Sequence, residues 1–209
     1  MKAEERVFKD EFSALQLDVL KEVGNIGAGN AAASLSTLLN KPINMSVPSI
    51  QVIEFDKVMD LAGGADNETV SISLRIEGDA PGSMFFMLSP QQADDFITEL
   101  FKEESGSTEL RQSALQELGN IIAGSYLSSL ADFTQLDLMP TVPVVVSDMA
   151  GAILSAGLIK LSQYYDRAIV IETLLEDKQV DGKMNGHFFL FPDPEFYKVL
   201  FRSVGVFNE

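Results

Sequence analysis

The sequence of 209 residues contains no cysteine and a single histidine, His187. Without a thiol the chain cannot form a disulfide, a cysteine nucleophile or a thiolate metal site. A zinc site of ordinary ligands or a His-based catalytic triad would need unusual substitutions, so we expect no metal site and exclude the commonest hydrolase classes. His187 precedes the apolar run FFLF, where a single histidine favours a structural or solvent-facing role.

Basic residues are also scarce, since 15 Lys and Arg stand against 31 Asp and Glu and the net charge is -16. Such a chain repels phosphate backbones and anionic lipid headgroups, so nucleic acid and membrane surfaces are not expected partners. No apolar run reaches the roughly 18 residues of a membrane-spanning helix. The N-terminal MKAEERVFKDEF is charged where a signal peptide is apolar, so we expect a cytoplasmic protein.

What the chain does contain is a repeat. LKEVGNIGAGN, from Leu20, returns 95 residues later as LQELGNIIAGS, from Leu115, and the alignment continues without a gap for some thirty residues. Later strand-and-helix patterns also match, after a short insertion. We therefore predict a single domain over residues 1–209 with internal repeats at approximately 12–101 and 109–205. A monomer is expected, because the pseudo-dimer already exists within one chain.

The order of patterns within each repeat predicts the fold class. A long helix is expected from about Phe12 to Leu39, followed by an extended segment that contains Pro48, or Pro143 in the second repeat. TVSISLRIE, from Thr69, alternates apolar and polar residues as a half-exposed strand does, while SMFFML is typical of a central strand. We predict an α+β fold, a pseudo-two-fold duplicated unit with long helices packed on a mainly antiparallel β-sheet.

Each repeat places polar residues and a glycine on one stripe of its long helix. Spacings of four, three and four residues bring these side chains to one face, at about 100° per residue. In the first repeat the stripe comprises Asp18, Glu22, Asn25 and Gly29. In the second repeat it comprises Ser113, Glu117, Asn120 and Gly124. Apolar residues such as Val23 and Ile26 are expected to face the core, which leaves the stripe to solvent or to a partner.

The glycines of these helices need compensation, because each interior glycine costs roughly 1 kcal/mol relative to alanine. One interpretation is that GNIGAG and GNIIAG let the two helices pack closely, with Glu and Asn as ordinary surface residues. The other is that a second molecule approaches the stripe. Asn can hold a water and Glu can pair with Lys, but the partner would have to supply the electrophile, as in water attack on a phosphoryl group.

The duplicated pattern resembles the signature of the CheC, CheX and FliY family of chemotaxis phosphatases. It reads D-VLK-E-VG-N-IGA-G from Asp18 and S-ALQ-E-LG-N-IIA-G from Ser113. The resemblance covers nearly the whole chain, and two copies at matching positions make it far more specific than one short motif. It implies an enzyme that hydrolyses the aspartyl phosphate of the response regulator CheY.

The resemblance also implies roles for single residues. Glu22 and Glu117 would each form a salt bridge with the active-site lysine of the receiver. Asn25 and Asn120 would each enter its acidic pocket and orient the attacking water. The Mg²⁺ ion and the phosphorylated aspartate would belong to CheY, so no cofactor is expected in this chain.

A second partner implied by the resemblance is the receptor deamidase CheD. The candidate surface is a helix expected from about Ser147 to Leu161, because the first repeat offers only FDKVMDLAGG at the matching position. Asp148 would lie at the start of that helix and is the candidate contact. A carboxylate at a helix start is equally an ordinary choice that complements the helix dipole.

Two other functions stay open at this point. A module of the same fold could capture phosphorylated CheY or CheD without catalysis. A structural protein of the flagellar switch would instead assemble tightly and independently of phosphorylation. Substitution of both signature asparagines separates an enzyme from a binding module, because a water-positioning role predicts lost turnover with binding largely kept.

Overall fold

The computed structural model describes residues 14–101, 107–162, 167–177 and 183–193, together with residues 196, 199 and 202. The helices within this part are α1 (Ala14–Leu39), α2 (Phe55–Leu61), α3 (Pro90–Phe101), α4 (Thr108–Thr134) and α5 (Ala150–Leu161). The strands are β1 (Ile43–Ser46), β2 (Ile50–Glu54), β3 (Glu68–Gly78), β4 (Gly82–Leu88), β5 (Leu138–Pro140), β6 (Val144–Met149), β7 (Arg167–Asp177) and β8 (Lys183–Pro192). The predicted α+β class is confirmed.

The eight described strands form one antiparallel sheet in the order β1-β7-β8-β4-β3-β5, in which β2 also pairs with β7 and β6 with β3. The strands β4 and β8 lie side by side at the centre, as expected for the apolar SMFFML segment. The two short strands of each repeat pair with a long strand of the other repeat: β1 and β2 pair with β7, and β5 and β6 pair with β3. The two halves of the sheet are thus joined by exchanged edge strands.

The extended segment predicted around Pro48 is divided into β1 and β2, with residues 47–49 between them. Proline has no N–H to donate to a strand ladder, so the pairing is interrupted there. The same interruption separates β5 from β6 in the second repeat. These two connecting segments contact the signature helices, the first α1 and the second α4.

One expectation about the repeats is wrong. The first repeat does not lack the helix that follows its short strands, because α2 begins at Phe55 and α5 begins 95 residues later at Ala150. The helix α2 is shorter, with 7 residues against the 12 of α5. The polar sequence FDKVMDL gave no clear apolar stripe, and the short helix was therefore not expected.

Helices cover both faces of the sheet. One face packs against α1 and α4 through a core that includes Leu35, Leu118 and Ile122, all 0% exposed. The opposite face packs against α2 and α5 through a second core that includes Leu154 and Phe189, also 0% exposed. Each apolar sheet face therefore has its own helical layer. No helix in the described part of the chain is long and apolar enough to cross a membrane.

The sequence Ser89-Pro90-Gln91-Gln92 is typical of a helix start, and α3 begins there at Pro90. The Ser89 Oγ accepts a hydrogen bond from the Gln92 N–H at 3.2 Å, and the Gln92 Oε1 accepts one from the Ser89 N–H at 2.8 Å. This reciprocal pair satisfies two backbone donors at the helix start. The pair Asp193 and Pro194 predicts the same device at a second helix start, but Pro194 lies outside the described residues.

Candidate functional site

The two signature helices, α1 and α4, pack directly on each other. A Cβ atom at Gly27 would lie 2.9 Å from the Tyr126 Cα and 3.2 Å from the Ser125 carbonyl oxygen. Those neighbours are backbone atoms, so any larger residue would push the helices apart. The Asn30 Nδ2 also donates to the Ser129 Oγ at 3.4 Å across the same contact. Close helix packing thus explains Gly27, as the first interpretation of the glycines predicts.

Two other glycines are not explained by packing. A Cβ atom at Gly29 or at Gly124 would meet no atom within 4 Å. These are the final glycines of the two signature copies, and each lies on the outer side of its helix. Open space beside the same position in both repeats fits the second interpretation, in which another molecule approaches the stripe.

The rest of each stripe also faces outward. Exposed side chains include Asp18, Glu22, Ser113, Glu117 and Asn120, whereas Asn25 is half-buried. Each helix therefore presents a carboxylate and, three residues later, a carboxamide on one surface. The expectation that Ile26 faces the core is wrong, since its side chain is 50% exposed beside this surface.

Asn25 is anchored to the segment that connects β1 to β2. Its Oδ1 accepts a hydrogen bond from the Val47 N–H at 3.0 Å, while its Nδ2 donates to the Lys21 carbonyl at 3.0 Å and to the Val47 carbonyl at 3.5 Å. Both polar atoms of the carboxamide are therefore engaged within the protein. Val47 itself is 1% exposed, which holds this contact firmly in place.

The second copy is arranged differently. The side chain of Asn120 forms no hydrogen bond with any residue that the structure describes, and it is exposed. The connecting segment of this repeat is held instead by Gln116, whose Nε2 donates to the Pro143 carbonyl at 3.0 Å. Gln116 lies one helical turn before Asn120 and occupies the repeat position of Lys21. The carboxamide of the second site is thus available to a water or a partner.

The connecting segments are the part of the site that the sequence reasoning did not assign. Val47 bonds to Asn25, and Pro143 lies 3.3 Å from a Cβ placed at Gly119, the residue before Asn120. The signal was present, because Pro48 and Pro143 align in the repeat at the same offset as the signature residues. An offset shared by distant residues indicates that they belong to one structural unit.

Chemically, neither surface holds a complete set of catalytic groups. A carboxylate can accept a hydrogen bond from a lysine, and a carboxamide can both donate to and accept from a water. Neither group can act as a strong nucleophile at neutral pH. Among the described residues there is no group of three or more Asp, Glu or His side chains placed to hold a metal ion.

Asp148 does not lie where the sequence predicts. It belongs to strand β6 and pairs with Thr69, while α5 begins two residues later with Met149 as its N-cap. The Asp148 Oδ1 accepts a hydrogen bond from the Met149 N–H at 2.7 Å rather than from the first turn of α5. Asp148 is exposed, and its strand β6 pairs with β3 at the edge of the sheet.

His187 lies in β8 opposite Glu172 of β7 and is half-buried. Burial lowers the pKa of its imidazole, and the negative charge of Glu172 opposes part of that shift. Its Nδ1 is buried and has no hydrogen-bond partner among the described residues. The side chain lies on the sheet face covered by α2 and α5, so it takes no part in either signature surface.

Comparison with known proteins agrees with this arrangement. A model of the CheC-like family matches residues 15–52 and 110–147, two segments that differ by the repeat offset of 95. The CheY-P phosphatase CheC of Bacillus subtilis (strain 168) is 46% identical over 91% of this chain and 94% of its own length. The flagellar motor switch phosphatase FliY of the same organism is 29% identical, over 63% of this chain and 36% of its own length.

Among solved structures, the X-ray structure of FliY from Thermotoga maritima superposes with a TM-score of 0.75 and 18% identity, over 94% of this chain and 98% of that one. At this identity the likeness establishes the fold. The identity to the CheC of Bacillus subtilis, which extends over nearly the full length of both chains, establishes the family. The chain belongs to the CheC-like family.

Proposed function

We propose that this protein is a CheY-P phosphatase of bacterial chemotaxis, an enzyme that hydrolyses the aspartyl phosphate of the response regulator. The family and the printed function of the 46% identical relative support this activity. The observation that carries it in the structure is the duplicated outward stripe. In both copies Glu, Asn and an unobstructed glycine lie together on one exposed helix surface.

In the proposed reaction this chain completes an active site that its partner mostly provides. Glu22 and Glu117 each form a salt bridge with the ammonium group of the receiver lysine. This contact fixes the orientation of docking. Asn25 and Asn120 each hold a water in line with the phosphorus atom, so that attack breaks the bond to the aspartyl oxygen and releases phosphate. CheY supplies the phosphoryl group and, when it is bound, the Mg²⁺ ion that neutralises charge there.

The direct experiment measures phosphate release from phosphorylated CheY with wild type, Asn25→Ala, Asn120→Ala and the double variant. We expect the double variant to fall to the rate at which CheY loses its phosphate alone. Binding to CheY carrying the phosphoryl mimic beryllofluoride should be largely kept, because the glutamates remain. A double variant that retains wild-type turnover would overturn the water-positioning role.

The alternative of a non-catalytic adaptor is tested by the same series. An adaptor would bind phosphorylated CheY without accelerating phosphate release, and the asparagine substitutions would then change no rate.

We further propose CheD as a second partner, which would bind the surface formed by Asp148 and α5. In support, Met149 at the N-cap of α5 and Ile159 near its end are apolar residues with exposures of 50% and 64%. Asp148→Asn should weaken capture of CheD while phosphate release from CheY is unchanged. Equal binding by wild type and variant would remove Asp148 from this interface.

We propose finally that the two repeats form a single cytoplasmic domain that acts as a monomer. The exchange of edge strands between the repeats supports this, because neither repeat has a complete half-sheet of its own. Sedimentation of the full chain at several concentrations tests the monomer, and a single cooperative unfolding transition tests the single domain.

A further inference from the structure

Two leucines at the same repeat position are exposed on the signature helices. Leu15 near the start of α1 is 59% exposed, and Leu110 near the start of α4 is 50% exposed. The two positions differ by the repeat offset of 95, so they are structural counterparts. A single exposed leucine is common on soluble proteins and needs no explanation. The same exposure at two equivalent positions is a stronger observation.

Other leucines that occur at equivalent positions in both repeats are buried. Leu20 and its counterpart Leu115 are 9% and 6% exposed. Leu35 and its counterpart Leu130 are 0% and 9% exposed. Leucines shared by the repeats therefore lie in the core at these two positions. Leu15 and Leu110 depart from that pattern together, which indicates a surface role that both copies share.

These leucines lie on the same side of their helices as the signature glutamates. Leu15 precedes Glu22 by seven residues, and Leu110 precedes Glu117 by seven. Seven residues are nearly two helical turns, so each leucine is rotated only about 20° from its glutamate and lies about 10 Å away along the axis. A partner that reaches the Glu and Asn of either copy therefore extends naturally over the leucine as well.

Charge alone is a weak basis for such docking. One exposed ion pair contributes little to binding and is screened by salt, and this chain carries a net charge of -16. An apolar side chain beside the ion pair adds a contribution that salt does not weaken. The surface at each site therefore combines an apolar contact, a charged contact and a polar group placed for chemistry.

We propose that Leu15 and Leu110 are apolar docking contacts, one at each site, for the phosphorylated receiver domain. This inference rests on the proposed phosphatase function and extends it. Each leucine packs on an apolar part of the receiver surface next to the lysine that pairs with Glu22 or Glu117. The leucines bind the partner and take no part in the attack on phosphorus.

The test isolates one site at a time. In an Asn25→Ala background only the second site is active, and Leu110→Ser is introduced there; Asn120→Ala with Leu15→Ser isolates the first. Phosphate release is measured against the concentration of phosphorylated CheY. We expect each leucine substitution to raise KM about five- to tenfold with kcat little changed, as loss of an apolar contact predicts.

Two controls separate docking from other effects. Leu61→Ser alters a side chain that is 37% exposed on α2, on the opposite face of the sheet, and should leave KM unchanged. Leu110→Met keeps an apolar side chain of similar volume and should restore a KM close to that of the unsubstituted leucine. If Leu110→Met keeps the KM low while Leu110→Ser raises it, the leucine makes an apolar contact, and a local change of fold does not explain the effect.

The results distinguish failure of the docking role from failure of the proposed phosphatase activity. If the parent variants release no phosphate above the rate of CheY alone, the proposed function fails. If they are active and the Ser variants keep the same KM, the docking role is overturned while the phosphatase stands. If light scattering shows that the Ser variants dissociate an oligomer of this chain, the leucines contact a second copy, and the proposal is equally overturned.

Discussion

The side chain of Asn25 is bonded to the backbone of Val47, whereas its repeat counterpart Asn120 has no such bond. In the first copy the Val47 N–H donates to the Asn25 Oδ1 at 3.0 Å. In the second copy the equivalent residue, Val142, is 76% exposed, and Gln116 holds the neighbouring Pro143 carbonyl instead. The connecting segment is therefore held by Asn25 in the first repeat and by Gln116 in the second.

This difference predicts unequal effects on stability. Asn25→Ala removes hydrogen bonds to a buried segment and should lower the free energy of unfolding by about 1 kcal/mol. Asn120→Ala removes no bond to a described residue and should change stability by less than half as much. Urea denaturation of both variants measures the difference. Equal losses would show that the contact between Asn25 and Val47 contributes nothing.

The same difference predicts unequal activity. The polar atoms of Asn25 already bond to Val47 and Lys21, which restricts how the side chain can hold a water at the phosphoryl group, whereas the Asn120 carboxamide has no such bonds to rearrange. We therefore expect Asn120→Ala to remove the larger share of phosphate release from CheY-P. Initial rates of the two single variants at one concentration of CheY-P give the ranking. A larger loss in Asn25→Ala would reverse this assignment.

Much of the site could be predicted from the sequence because its residues lie close together on single helices. The spacing of Glu22 and Asn25 fixes their relative position once a helix is assumed, and the second copy repeats it. The same rule places Ile26 correctly where the core expectation does not. Ile26 follows Glu22 by four residues, so helical spacing brings it next to the stripe, in agreement with its 50% exposure.

Long-range features were less accessible. The pairing of β1 and β2 with β7, which belongs to the other repeat, depends on tertiary contacts that no local pattern records. The boundary near Asp148 was missed because the segment VVVSDMAGAIL is apolar on both sides of it and contains no proline at the junction. Ser147 and Asp148 are residue types that usually mark a helix start, but here they lie in β6 and Met149 is the N-cap of α5.

The glycines of α1 provide a matched pair for a packing test. Gly27→Ala would bring a Cβ to 2.9 Å from the Tyr126 Cα, so α1 and α4 must separate, and we expect a loss of about 1–3 kcal/mol. Gly29→Ala meets no atom within 4 Å and should stabilise the helix by up to about 1 kcal/mol. Thermal unfolding of the two variants should therefore shift Tm in opposite directions. Shifts of the same sign would contradict close packing of α1 on α4 at Gly27.

His187 makes the stability of the fold dependent on pH. Burial lowers the pKa of its imidazole from 6.5, and Glu172 on the neighbouring strand partly opposes the shift. Because the unfolded chain then binds the proton more readily than the folded chain, this contribution to stability is intact above about pH 6.5. It is lost as the pH falls from there through the lower pKa of the folded state.

The measurement compares wild type with His187→Gln by urea denaturation between pH 8 and pH 5.5. Carboxylates common to both proteins cancel in the difference, so we expect wild type to lose more stability than the variant as the pH falls through this range. Glu172→Gln should increase the loss in the protein that retains His187, because the charge that favours the imidazolium is then absent. Parallel pH profiles for wild type and His187→Gln would mean that burial of the imidazole does not affect its titration.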